Sequence, residues 1–158
     1  MSLLPLFQWA SQAPIFAVMR DSKWAFAVVE MLHLIALASF GGTLLVIDLG
    51  VLGIGLRSQP VSNVARDLSR VFLGSLVLSV VSGAFLVSAN PMKYYYHPAF
   101  RVKMLLLFLA VTFNFTLHRK LVESPIGAAL TVSTKLSAVV SLALWFSVGV
   151  AGRSIGFL

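Results

Sequence analysis

The chain has 158 residues, 59% of them hydrophobic and 11% charged, with a net charge of +7 and no cysteine. A soluble domain carries about a quarter charged residues, so this composition, with a mean hydropathy of +0.95, excludes an ordinary water-facing fold and makes the lipid bilayer the principal partner. The basic residues lie between apolar runs, which fits headgroup contact and excludes a nucleic-acid surface. The missing cysteines remove disulfides, thiolate metal sites, iron–sulfur clusters and covalently attached haem.

Residues 1–19 contain no lysine or arginine and are interrupted by Pro5 and Pro14. A secretory signal needs a basic start and an unbroken apolar stretch. The segment therefore reads as a short, retained interfacial helix anchored by Trp9.

Four apolar runs follow, expected to span at about 24–56, 68–89, 98–122 and 134–157. Each reaches the length of roughly 20 residues that a bilayer requires. The polar stretch 57–70 is the expected first connection. Asn90-Pro91 closes the second span, a loop 92–97 follows, and Pro98 suits the first position of the third helix. Pro125 and Gly127 mark the last connection. The expected fold is an all-α, integral membrane four-helix bundle in a single domain, 1–158. Small-residue stripes suggest the packing faces: Ser75, Ser79 and Gly83 on span two, Ala143, Ser147 and Ala151 on span four, and Ala38 with Gly42 on span one. The two halves show no repeat of the inverted-transporter kind.

Four spans put both termini on one face, side A. Basic residues divide six and six between the faces, so charge alone leaves the orientation open. Turning Lys103 inward tips the expectation towards termini outside.

Ionisable groups within spans are costly and mark functional sites. Span one carries Glu30 and His33, three residues apart on one face, and Asp48 five whole turns beyond Glu30. Helical rise separates two polar levels by about 22 Å. Side A gathers Glu30, His33, His97, Arg101, Lys103 and Arg153; side B gathers Asp48 and His118, with Asn114 one turn above. The first group is either an ion-pair network holding Glu30 or a site for haem, metal or quinone. The second reads as a hydrogen-bonded pair.

His33 and His118 differ in height by roughly 20 Å, too far to ligate one haem. His33 with His97 or Lys103 is geometrically easier, Arg101 and Arg153 then holding propionates. Copper is the alternative metal, with Met31, His33, Met92, His97 and Met104 as soft or borderline ligands. However, Met31 and His33 point about 160° apart on their helix. No serine or cysteine stands in a hydrolytic triad pattern.

The ordered set Glu30-x-x-His33, Gly41-Gly42, Asp48, Pro98-Ala99-Phe100-Arg101-x-Lys103, His118 and Gly152-Arg153-x-Ile155-Gly156-Phe157 resembles an uncharacterised bacterial family of small four-span membrane proteins. The chain departs from that family at His97, where asparagine is usual. The resemblance implies a multi-pass protein of the bacterial inner (cytoplasmic) membrane. A more distant likeness, over spans one to three, is to the copper-resistance D membrane domain and the membrane-integral, haem-associated protoporphyrinogen oxidase, whose early histidine and later lysine His33 and Lys103 would match.

The expected function is a haem-b-binding or quinone-linked redox protein, with His33 as axial ligand, Glu30 orienting it, and Lys103, Arg101 and Arg153 neutralising anionic groups. The alternatives are copper or proton transport along Glu30, His33, Asp48 and His118, and a cofactor-free subunit anchoring a larger membrane complex or homo-oligomer.

Overall fold

The structure, a computed structural model, describes residues 4–55, 60–118, 120 and 131–155, the side chains of 117 and 118 excepted. The described residues are helical and contain no strand. Two short helices, α1 (Leu4–Gln12) and α2 (Ala17–Asp21), flank a single tight turn at Pro14–Phe16. They precede α3 (Lys23–Val51), α4 (Val61–Ala89), α5 (Pro91–Tyr96), α6 (Pro98–Phe113) with a π-helical turn at Asn114–His118, and α7 (Val132–Ser154). Helices α3, α4, α6 and α7 are long and apolar enough to cross a membrane.

Local chemistry sets the boundaries. Ser22 caps α3, its hydroxyl accepting from Ala25 N–H at 3.2 Å. At the other end Gly53 adopts φ +85°, a left-handed conformation open to glycine without strain. There the Ile54 N–H closes back onto the Leu49 carbonyl at 2.8 Å. Pro91 and Pro98 begin α5 and α6, where the missing N–H costs no helical bond.

The first connection is shorter than the sequence suggests, because α4 is already helical from Val61. The polar run from 61 to 70 is amphipathic: Val61, Ser62 and Ala65 are buried while Arg66, Asp67 and Arg70 face out. The expected loop at 92–97 likewise contains the helical turns of α5. At 29 residues each, α3 and α4 rise about 43 Å, against a hydrocarbon core of about 30 Å. The exposed charges on the first third of α4 place the excess on side B.

Helix α3 packs along α4 and α7, and α7 packs on α6. The interior is layered. At the side B end, Ile47, Val51, Val61, Ala65 and Ala138 form one apolar cluster. Two turns towards side A, Phe40, Leu44, Phe72 and Leu76 form a second, joined by Val111, Phe115 and Trp145. In it Phe40 lies 5.0 Å from Phe72 and 4.5 Å from Trp145, and Phe72 lies 5.9 Å from Phe115. The next layer, another two turns on at His33, is polar.

Of the expected packing stripes, that on α4 is inward: Ser75 and Ser79 are buried and Gly83 touches His33. Ala38, Gly42 and Ala143 are exposed. The inner face of α3 is instead set by Ala36, Phe40 and Thr43, and that of α7 by Thr134, Ala138, Ser141, Val148 and Ala151. Ala151 of the expected α7 stripe is thus inward and Ser147 half-buried, while the rings of Phe40 and Trp145 meet at the centre.

Candidate functional site

The polar layer forms where four helices bring small or polar residues together. On α4 the serines lie three and four apart, so Ser75, Ser79 and Ser82 share the face turned to α3. Within an apolar medium a hydroxyl must find an acceptor. Ser82 donates to the Leu78 carbonyl at 2.6 Å, the backward bond common for serine in helices.

His33 meets the same hydroxyl, its Nδ1 2.9 Å from Ser82 Oγ. When Ser82 gives its proton to the Leu78 carbonyl, or to that of Ser79 at 3.3 Å, its Oγ accepts from His33 Nδ1–H, and Nε2 of that tautomer carries the lone pair. The ring rests on Gly83: a Cβ there would stand 3.2 Å from His33 Cε1 and 3.7 Å from Nδ1. Any larger residue at 83 would occupy the ring's place.

Lys103 approaches from α6. Its aliphatic end packs over Gly152 of α7, where an added Cβ would meet Cε and Nζ at 3.4 Å. The lysine is half-buried and near enough for its charge to act on the His33 ring. No carboxylate among the described residues pairs with its ammonium. Glu30, one turn from His33, is exposed on the flank of α3; its charge reaches both His33 and Tyr94. Burial first, then the Glu30 carboxylate, holds the Tyr94 phenol above its ordinary 10.0. Tyr94 therefore stays neutral at physiological pH.

The other expected residues spread out. Arg101 and Arg153 are exposed. His97 is 8% exposed, and neither ring nitrogen has a partner among the described residues. It sits in the turn between α5 and α6; across that turn the Tyr94 and Phe100 rings are 5.5 Å apart. No three histidine or carboxylate side chains converge among the described residues.

On side B, Asp48 is fully buried and Asn114 is 4% exposed, at the start of the π-helical turn. The expected pairing of Asp48 with His118 lies outside the described residues. The sequence reading missed three buried hydroxyls on α7, those of Thr134, Ser137 and Ser141. Thr134 Oγ1 lies 2.8 Å from Thr131 Oγ1, and Ser137 Oγ donates to the Thr134 carbonyl at 2.7 Å. It also missed Ser82 and Tyr94, and quoted Gly152 in a motif without setting it against Lys103. The signal for these was spacing: a serine three residues beyond Ser79, and three-residue steps from Thr131 to Ser137.

Comparison with known proteins gives one result of substance. A family model described as a family of unknown function (DUF6644) matches residues 6–158. No curated protein and no solved structure matches.

Proposed function

The chain belongs to this family of unknown function, a small multi-pass membrane protein within it, and from that premise we propose that it is a quinone-linked redox protein whose headgroup site is the His33 layer. One observation carries this reading. A lysine with no carboxylate partner among the described residues and an imidazole whose Nδ1 meets Ser82 stand in one layer, backed by Gly152 and Gly83. The lysine donates to a carbonyl oxygen and the imidazole accepts from a hydroxyl. A quinone and its quinol present those two groups. Reduction takes up two electrons and two protons: Lys103 and, once protonated, His33 would donate the protons, and a partner redox protein would supply the electrons.

The test is a titration of purified protein with a soluble benzoquinone, read by tryptophan quenching. His33→Ala and Lys103→Leu should each weaken binding by about tenfold, the worth of one hydrogen bond involving a charged group. Unchanged affinity in both variants would refute the reading.

Haem b is a second reading, favoured by the Ser82 bond, since metal-bound imidazoles are held through their second ring nitrogen in this way. It requires a Soret band in the purified protein that disappears in His33→Ala. A colourless wild type, prepared with haem supplied, would sink it.

A further inference from the structure

Between the two apolar clusters lies a second buried polar layer. On α3, Leu44 belongs to one cluster and Val51 to the other, and Asp48 stands one turn from each. On α7, which runs antiparallel, Ala138 belongs to the side B cluster and Trp145 packs on the other. Ser141 stands one turn from each. The two helices pack together, so Asp48 and Ser141 share one level, and both are 0% exposed. Asn114, 4% exposed, reaches the edge of this level from the π-helical turn, which also packs on α7.

We propose that this layer binds a dehydrated monovalent cation between the Asp48 carboxylate and the Ser141 hydroxyl, reached from side B along the hydroxyls of α7. The site is separate from the His33 layer and does not depend on what occupies that layer.

Three observations support it. The first is the state of Ser141. Ser75, Ser82 and Ser137 each donate to a carbonyl on the preceding turn, whereas Ser141 Oγ, equally enclosed, has no hydrogen-bond partner among the described residues. An unpartnered hydroxyl is costly in an apolar interior unless something binds it. The second is the donor set. Carboxylate, hydroxyl and amide oxygens are the ligands of hard cations. A single carboxylate balances one positive charge, in a medium where net charge is expensive. A carboxylate accepts at about four positions, so Asp48 can hold a cation alongside a protein partner. The third is a path. Thr131 is exposed at the side B end, and Thr134, Ser137 and Ser141 follow it inward at steps of three and four residues on one face of α7. Thr131 and Thr134 join it by hydroxyls 2.8 Å apart. Towards side A the rings of Phe40, Phe72 and Trp145 close the layer.

The experiment is thermal unfolding of the purified full chain in detergent micelles, at one ionic strength, in choline, sodium, potassium or calcium chloride. Sodium or potassium should raise the midpoint saturably over choline, by about 3–6 °C at ten times the dissociation constant. Ser141→Ala should remove most of that shift and Asp48→Asn all of it. Ser75→Ala, whose hydroxyl is bound to its own helix, should keep it. If Asp48→Asn fails to fold, Ser141→Ala carries the test. Equal midpoints in choline, sodium and potassium overturn the inference. So does a shift that Ser141→Ala retains in full, which puts the cation elsewhere, or one given by calcium alone, which contradicts the charge balance.

Discussion

Replacing Gly83 by valine tests the central contact directly. A Cβ at this position already stands 3.2 Å from His33 Cε1, closer than ordinary packing, and valine adds two methyl groups. The ring cannot retreat freely, because Nδ1 is held 2.9 Å from Ser82 Oγ, one residue away on the same helix. Overpacking costs about 1–3 kcal/mol and the lost hydrogen bond about 1 kcal/mol. Removing a helical glycine returns part of this, at most about 1 kcal/mol. The net expectation is a loss of about 1–4 kcal/mol. Adding His33→Ala to Gly83→Val empties the contested space and should recover about 1–2 kcal/mol relative to additivity. Gly74→Val is the control, since an added Cβ there meets nothing within 4 Å, and it should stay within about 0.5 kcal/mol of wild type. The assay is reversible unfolding in mixed micelles followed by circular dichroism. A Gly83→Val protein as stable as the Gly74→Val control, or no recovery in the double variant, would refute the contact.

Gly152→Ala should be nearly neutral, within about 1 kcal/mol, in the same assay, because the atoms it meets are the flexible end of Lys103. Tyr94 should ionise above 10.0 in ultraviolet titration of a Tyr95→Phe/Tyr96→Phe background, and Glu30→Gln should lower its midpoint. The sign follows from linkage: a phenol whose folded value is raised contributes stability that is fully present below its ordinary value and lost as pH rises through the folded one. An unmoved midpoint would show that the Glu30 carboxylate does not act on Tyr94. Arg20→Ala removes two exposed or part-buried bonds to the Ala10 and Ala13 carbonyls. It should speed amide exchange across α1 while changing global stability by about 1 kcal/mol or less. Unchanged exchange would show that α1 is held by other contacts.

Some of this was legible in the sequence. Length and hydropathy mark the spans, and Pro98 marks a helix start because proline suits the first turn; Pro91, read as the close of span two, also begins the short α5. The three-residue spacing of Glu30 and His33 put them side by side. It did not reveal that the neighbouring helix meets His33 and leaves Glu30 on the flank, since that depends on where α4 lies. The start of α4 was hidden because Arg66, Asp67 and Arg70 resemble loop residues until Val61 and Ala65 are known to pack on Ile47 and Val51. The stripe on α7 was right at Ala151 and wrong at Ala143: the buried small residues are Ser137, Ala138, Ser141 and Ala151, a register that leaves Ala143 outside. The π-helical turn at 114–118 is a matter of backbone registry, which residue identity does not encode.

The four rings of Phe40, Phe72, Phe115 and Trp145 act as a stopper across the barrel of the bundle. They part the His33 layer from the side B level at Asp48, so the two polar levels are in effect separate rooms with a wall of packed rings between them.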